Sequence, residues 1–247
     1  MSIKSEADWR GLRAVGRIVR LTLDALEQHA RPGVTTGELD GVAATVFAAQ
    51  GARSAPRLVY GFPGTVLISV NDEVVHGIPG SRRLEAGDVL KLDVTAEKSG
   101  YMADAARTMI LEGGPGISRR LRSCVGTAFR SALRVACAGN RVSEIGRAVE
   151  DEVRRCGFSV IRGLGGHGIG HTIHEAPSAP NYCDPDQRDV LTEGLVLTIE
   201  PIISCGSGEV FEDRDGWTIR TRDGSLAAHH EHTLVISGNH PVLLTAG

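Results

Sequence analysis

The stretch KLDVTAEKSGYMADAARTM, residues 91–109, decides the fold. Apolar and β-branched residues surround Asp93 in its first half and Asp104 in its second half, and EKSG (97–100) separates the halves as a turn signal. The stretch therefore predicts a β-hairpin. If the two middle residues of EKSG form the turn, Asp93 and Asp104 face each other on one side of the hairpin, with Cβ atoms about 4.5–5.5 Å apart. A bulge at Gly100 would shift that pairing by one residue.

Three later segments also place a possible metal ligand among apolar residues. They are GHGIGHTIHEAP (166–177) with His167, LVLTIEPII (195–203) with Glu200, and HHEHTLVI (229–236) with Glu231. Burying such a side chain costs free energy unless a partner replaces its lost water. Two aspartates alone are equally typical of a solvated strand face, but five such residues together indicate a pair of divalent cations. Four carboxylates and one imidazole suit Mn, Fe, Co or Zn, so the pattern predicts a two-metal hydrolase.

Composition narrows the class of protein further. The chain has 247 residues and a net charge of −3, which gives no electrostatic reason to expect binding to DNA or to an anionic membrane. No apolar run reaches the ~20 residues of a membrane span, and the N-terminus lacks the apolar core of a signal peptide. We therefore expect a cytoplasmic protein. Its five cysteines show no C-x-x-C spacing, so free thiols are expected rather than disulfides or zinc clusters.

Apolar periodicity and turn residues predict two helices followed by strands, twice along the chain. The predicted helices span residues 7–29, 36–50, 118–138 and 143–157, and the predicted strand segments span 58–76, 89–111, 158–162, 167–174, 195–204, 217–221 and 228–236. Thr35 and Glu38 form a capping box before the second helix. The Gly-Pro run at 113–116 could be a domain linker, but the possible ligands on both sides of it must meet in one site. We therefore expect one α+β catalytic domain over residues 1–247 with a pseudo-twofold plan.

These motifs carry a resemblance to a known family. They are ISVNDEVVHGIP (68–79), two aspartates with ten residues between them, GHGIG followed by His174 and Glu175, TIEP (198–201) and EHT (231–233). Their order and separations resemble those of the type I methionine aminopeptidases of peptidase family M24, and the similarity covers essentially the whole chain. The resemblance implies the pita-bread fold, in which a central antiparallel sheet carries helices on its outer face.

The resemblance also implies roles for the ligands. Asp93 would chelate one ion, His167 and Glu200 would bind the other, and Asp104 and Glu231 would bridge both. Glu200 would in addition act as the proton shuttle for the nucleophilic water. The expected cofactor is two divalent metal ions, and the sequence does not decide among Co, Mn, Fe, Zn and Ni.

Two further histidines have catalytic roles by resemblance. His76 would donate a hydrogen bond to the substrate near the scissile amide, and His174 would stabilise the carbonyl oxygen as negative charge develops. Strand parity alone would nominate His171 instead, because it shares a face with His167 in an extended strand. The family pattern nominates His174 and makes His171 an outer or surface group.

Three histidines surround Glu231 in the sequence. His229 shares its strand face, whereas His230 and His232 point away from it. The family expects only Glu231 as a ligand in this segment, so the prediction leaves all three histidines out of the site.

The substrate pocket is where the sequence departs from the family. By resemblance, Phe62, Leu67 and Trp217 would bind the methionine side chain. Leu67 replaces a cysteine that is usual at its position, and Val59 and Ile173 stand where aromatic residues are common. The pocket stays apolar, so we expect changes in rate and stringency rather than in the reaction.

The implied activity is removal of the initiator methionine from nascent proteins whose second residue is small, through attack by a water or hydroxide that bridges two metals. One alternative is an aminopeptidase of broader or X-Pro preference on the same fold. Another is a catalytically weak paralogue with a binding role. The expected partners are the N-terminal methionine of nascent polypeptides and, transiently, the ribosome. DNA and membranes are not expected partners, and the protein is expected to be a monomer.

Overall fold

Two pairs of long helices, each followed by strands, make up the computed structural model, which describes residues 1–238 and 240–246. The helices are α1 (Glu6–His29), α2 (Thr36–Gln50), α3 (Ala55–Tyr60), α4 (Gly116–Val135) and α5 (Val142–Arg155). The strands are β1 (Arg53–Ser54), β2 (Leu67–Val70), β3 (Glu73–Val75), β4 (Val89–Lys98), β5 (Tyr101–Ile110), β6 (Ser159–Val160), β7 (Gly165–Gly168), β8 (Glu175–Pro180), β9 (Val196–Ile199), β10 (Ile202–Ser204), β11 (Val210–Glu212), β12 (Ile219–Thr221), β13 (Ala227–His229), β14 (His232–Val235) and β15 (Val242–Leu243). The ladders between these strands are antiparallel.

Helix boundaries follow local chemistry, as the sequence predicts. The predicted capping box begins α2, because the Thr35 hydroxyl accepts from the Glu38 N–H and the Glu38 carboxylate accepts from the Thr35 N–H. Gly51 ends this helix with a left-handed φ of 59°, which glycine adopts without strain. Within the described ranges, no helix combines the length and the apolar composition needed to cross a membrane.

The predicted hairpin is present as β4 and β5, but the predicted pairing of its aspartates is wrong. Asp104 lies opposite Thr95, two residues beyond Asp93. The turn is formed by Ser99 and Gly100, whose φ values are 54° and 84°. Two positive φ values give the two-residue loop whose twist matches that of the strands, which moves the turn one residue along the chain. Asp93 and Asp104 still share one face, as diagonal neighbours.

Two predicted strand segments are also partly wrong. The start of the segment 58–76 is helical, because Ser54 caps α3 and Pro56 favours its first turn. The predicted strand 167–174 ends at Gly168, where the ladder between β7 and β8 shifts its register. The next six residues therefore leave the strand, and strand parity no longer decides which way their side chains point.

Each half of the chain builds a helical layer on strands, as the pseudo-twofold plan predicts. In the first half α1 and α2 pack on the hairpin sheet through buried residues such as Leu23 and Leu92. In the second half α4 and α5 pack on β9 and β14 through residues such as Phe129 and Leu197. The halves join where Ala106 on β5 and Glu231 exchange backbone hydrogen bonds of 3.3 and 2.9 Å.

Gly146 allows α5 to approach the chain that follows β8. A Cβ atom at this position would overlap the carbonyl oxygens of Tyr182 and Pro180. Because backbone cannot move aside locally, we expect Gly146→Ala to lower the free energy of unfolding by about 1–3 kcal/mol or more. Urea unfolding followed by circular dichroism measures this change.

Gly126→Ala in α4 is the matched control for that substitution. Its Cβ would meet only the flexible Arg130 guanidinium, 3.6 Å away. Alanine is the better helix former, so we expect stabilisation of up to about 1 kcal/mol. Equal stabilities of Gly146→Ala and wild type would contradict the close packing of α5.

Candidate metal centre

The five predicted ligands line one cavity of about 300 Å³ between the two halves of the chain. The aspartates come from the hairpin, His167 from β7, Glu200 from the end of β9, and Glu231 from the link between β13 and β14. The polar side chains of the lining are His76, Asp93, Asp104, His167, His174, Ser178, Glu200, His229 and Glu231. Strands far apart in the sequence therefore converge on one site.

The ligand atoms have the spacing of groups that share a cation. Two sets bring one ligand atom from each member within 4.8 Å of the others: Asp93, His229 and Glu231, and Asp104, His167 and Glu231. Glu231 belongs to both sets. Nε2 of His167 also lies 3.4 Å from Oε1 of Glu200. Donor atoms bound about 2.0–2.2 Å from one ion lie about 3–3.5 Å apart, so these separations suit metal ligands.

Buried polar atoms in the cavity fit a divalent metal. One carboxylate oxygen each of Asp93, Asp104 and Glu231, and both ring nitrogens of His229, are buried without a hydrogen-bond partner among the described residues. An unpartnered buried polar group costs about 1–3 kcal/mol, and a charged group costs more. Carboxylate oxygens and imidazole nitrogens together suit borderline divalent cations, which would satisfy these atoms at once.

Neighbouring groups hold the ligands in place. The Thr95 hydroxyl donates to Oδ2 of Asp104 at 2.7 Å, and the Thr198 hydroxyl donates to Oε1 of Glu200 at 2.8 Å. Nδ1 of His167 lies 3.0 Å from the carbonyl oxygen of the next residue. A proton on Nδ1 satisfies that contact and leaves the lone pair of Nε2 facing the cavity.

Burial and like charge shift the pKa values of the cavity residues. Burial raises the pKa of Asp93, and the carboxylates of Asp104 and Glu200 raise it further. Burial and the same two carboxylates also raise the pKa of Glu231, and burial raises the pKa of Glu200 to about 7. Burial lowers the pKa of His229 to about 4, so its ring is neutral at pH 7. The cavity gathers negative charge that a bound cation would stabilise.

The two predicted catalytic histidines also face this cavity. His76 follows β3 with a φ of 61°, a left-handed conformation that costs non-glycine residues free energy. The rings of His174 and His167 contact each other with centroids 4.2 Å apart. Burial lowers the pKa of both His76 and His174, so both rings are neutral at pH 7.

Tyr60 contacts His174, a neighbour that the sequence reasoning missed. Its hydroxyl lies 2.5 Å from Nδ1 of His174. The residue ends α3, the segment predicted as strand, and the two partners are 114 residues apart in the chain. No local sequence signal marks such a contact.

His171 lies outside the cavity, whereas His229 lies in its wall. His171 is exposed, and its Nδ1 lies 3.1 Å from the carbonyl oxygen of Gly100, outside the cavity lining. His229, which the prediction left out, lies in the cavity wall with Nε2 3.6 Å from Oε2 of both Glu200 and Glu231. Its sequence signal is the strand face that it shares with Glu231.

The predicted pocket residues are not in the lining of this cavity. Leu67 is directly opposite Asp93 in the β2–β4 ladder, so their side chains share a face. Phe62 and Trp217 contact each other edge to face with centroids 5.2 Å apart. Val59 is 44% exposed on α3. Leu67 is thus the altered position that lies beside a predicted metal ligand.

An antiparallel α+β fold in which carboxylates and histidines converge on one cavity is the arrangement of a metal-dependent hydrolase. The sequence model of metallopeptidase family M24 matches residues 10–238, so the chain belongs to this family. Such enzymes require divalent metal ions, and the carboxylate and histidine groups of the cavity could bind them.

Curated relatives match over the full length of the chain. The chain is 42% identical to methionine aminopeptidase 2 of Bacillus subtilis, with 99% of both chains covered. It is 38% identical to a methionine aminopeptidase of Clostridium perfringens, with 98% of both chains covered.

Solved structures show the same fold. The crystal structure of the methionine aminopeptidase of Thermotoga maritima matches with a TM-score of 0.96 at 32% identity, and each chain is covered completely. The prolidase of Pyrococcus horikoshii matches with a TM-score of 0.79 at 21% identity, over 99% of this chain and 63% of the prolidase. The second match concerns the fold alone. The predicted pita-bread fold is confirmed.

Proposed function

We propose that this protein is a methionine aminopeptidase, which hydrolyses the bond after the N-terminal methionine of nascent polypeptides whose second residue is small. The observation that carries the proposal is the end-to-end similarity to curated relatives of that name. The convergence of the five ligand side chains on one cavity supports it independently. We further propose that residues 1–247 form one catalytic domain, because both halves contribute to this cavity.

For the ligands we propose the division implied by the family resemblance. Asp93 would chelate one divalent ion, His167 and Glu200 would bind the second, and Asp104 and Glu231 would bridge the two. The presence of Glu231 in both sets of neighbouring ligand atoms supports a bridging role. When bound, the cations lower the pKa of water, so that a nucleophile forms near neutral pH.

Side chains of the cavity are proposed to transfer the proton and to form hydrogen bonds with the substrate. Glu200 is proposed to accept the proton of the nucleophilic water and to pass it towards the leaving amine. His76 donates a hydrogen bond near the scissile amide. His174 is proposed to donate from Nε2 to the carbonyl oxygen as negative charge develops. The Tyr60 hydroxyl is proposed to donate to Nδ1 of His174, the arrangement in which Nε2 carries the proton.

One assay tests the proposal against both alternatives. Purified protein receives Met-Gly-Met and X-Pro peptides with added Mn or Co, with and without a chelator. We expect release of methionine from the first peptide only, abolished by the chelator. Cleavage of X-Pro peptides would favour the broader aminopeptidase, and metal binding without turnover would favour the catalytically weak paralogue.

The proposed substrate determines the expected cellular setting. Nascent chains present their initiator methionine in the cytoplasm, so we propose a cytoplasmic location and a transient contact with the ribosome. The chain's net charge of −3 supports no general affinity for nucleic acid or anionic membranes. We propose a monomer, as the family resemblance implies.

The altered pocket leads to a prediction at Leu67. The side chain shares a face with Asp93 and is bulkier than the cysteine usual in the family, so it should narrow the slot for the methionine side chain. We expect Leu67→Cys to raise kcat/KM for a Met-Ala-Ser peptide by about tenfold, within the 1–3 kcal/mol by which apolar pockets discriminate a methylene. Steady-state kinetics measure the change.

A norleucine-Ala-Ser peptide is the internal control for that prediction. Norleucine has a similar shape without the sulfur atom, so the gain should be smaller for it than for methionine. Unchanged kinetics with both peptides would show that residue 67 does not line the pocket.

A further inference from the structure

His229 is held rigidly at the edge of the cavity. His229 is 1% exposed and lies at the end of β13. Thr108 fixes its backbone from both sides, because the Thr108 hydroxyl donates to the His229 carbonyl at 2.7 Å and accepts from its N–H at 2.8 Å. The ring position is therefore set by the join between β5 and β13.

No hydrogen bond within the described part of the chain accounts for the buried position of the His229 ring. Neither nitrogen has a hydrogen-bond partner there, although a neutral imidazole always carries one N–H donor that is costly to bury alone. Its Nε2 lies 3.6 Å from Oε2 of both Glu200 and Glu231. That separation is too long for a hydrogen bond, but it approaches the ~3–3.5 Å between donor atoms that share one cation.

We propose that His229 is a sixth ligand of the metal centre and binds, through Nε2, the ion that Asp93 holds. One ligand atom each of Asp93, His229 and Glu231 lie within 4.8 Å of one another. The inference rests on the metal centre of the proposed function and adds to it a nitrogen donor that the five-ligand pattern lacks. Each ion then receives one imidazole, from His167 or from His229.

A second imidazole changes which metals the centre favours. Carboxylate sites suit Mg and Mn, whereas imidazole donors suit Zn, Fe, Co and Ni. We therefore expect His229 to favour zinc over manganese. Removing its nitrogen should weaken zinc binding more than manganese binding.

Nuclear magnetic resonance tests the ligation directly and without an activity assay. Protein labelled with nitrogen-15 histidine and loaded with cadmium-113 shows scalar coupling between the metal and each ring nitrogen that binds it. We expect two coupled histidines in wild type and one in His229→Gln. Competition titrations should show zinc affinity lowered by more than about 100-fold in the variant, beyond the 10–100-fold loss typical of groups that only support a ligand.

His230→Gln is the matched control. The ring of His230 contacts Phe129 rather than the cavity, so this variant should keep two coupled histidines and wild-type zinc affinity. Circular dichroism of the metal-free proteins checks folding. Coupling to a single histidine in wild type would overturn the ligand role of His229 and leave the proposed function standing. Absence of any metal binding in wild type would instead overturn the metal centre itself.

Discussion

Glu200→Gln should abolish turnover while leaving the fold intact. The substitution keeps the side-chain volume and an oxygen for the Thr198 hydroxyl, which donates to Oε1 at 2.8 Å. It removes the negative charge next to His167 and the base proposed to accept the proton of water. General-base assistance alone contributes about 10²–10⁴ in rate, so kcat should fall by at least about 10³-fold. Methionine release under saturating metal and substrate measures the effect.

The matched control for this prediction is Glu209→Gln. Glu209 is exposed, lies 3.9 Å from Arg222 and is not in the lining of the cavity, so kcat should not change. The metal-free Glu200→Gln protein should melt no lower than wild type, since it loses a buried charge. Turnover of the Glu200 variant within tenfold of wild type would refute the assigned role.

Features that depend on residues close together in the sequence could be predicted. The capping box at Thr35 and Glu38 is confirmed, and so is the hairpin that carries Asp93 and Asp104. The register of the hairpin could not be predicted, because it depends on which two residues adopt positive φ. Ser99 and Gly100 adopt positive φ at the turn. This position of the turn shifts every pair of opposed residues in the hairpin relative to the predicted register.

Contacts between distant segments could not be predicted. The contact between Tyr60 and His174 depends on a short helix whose apolar residues also suit a strand. His229 could have been included, because strand parity put it on the face of Glu231. The family pattern argued against His229, since it describes only what is common to many chains. That both ring nitrogens of His229 are buried without a hydrogen-bond partner among the described residues could be learned only from the three-dimensional structure.

Asp104→Asn should remove most of the stabilisation that metal gives to the protein. A metal that binds only the folded state contributes about 2.7 kcal/mol at a hundredfold excess over its dissociation constant. For a chain of this size that corresponds to a rise in Tm of about 5–10 °C when Mn or Co is added to chelator-treated wild type. The variant retains an oxygen for the Thr95 hydroxyl but loses the charge of a proposed bridging ligand, so its rise should be much smaller.

The metal-free proteins should show the opposite order of stability. Burial and repulsion raise the pKa of Asp93 and Glu231, so removing the nearby charge of Asp104 relieves a strain that exists only without metal. The metal-free variant should therefore melt at or above the Tm of metal-free wild type. Asp24→Asn is the control: it weakens a surface ion pair with Arg107 and should leave the metal-induced rise unchanged. Differential scanning calorimetry measures all three proteins, and an equal metal-induced rise in Asp104→Asn and wild type would exclude Asp104 as a ligand.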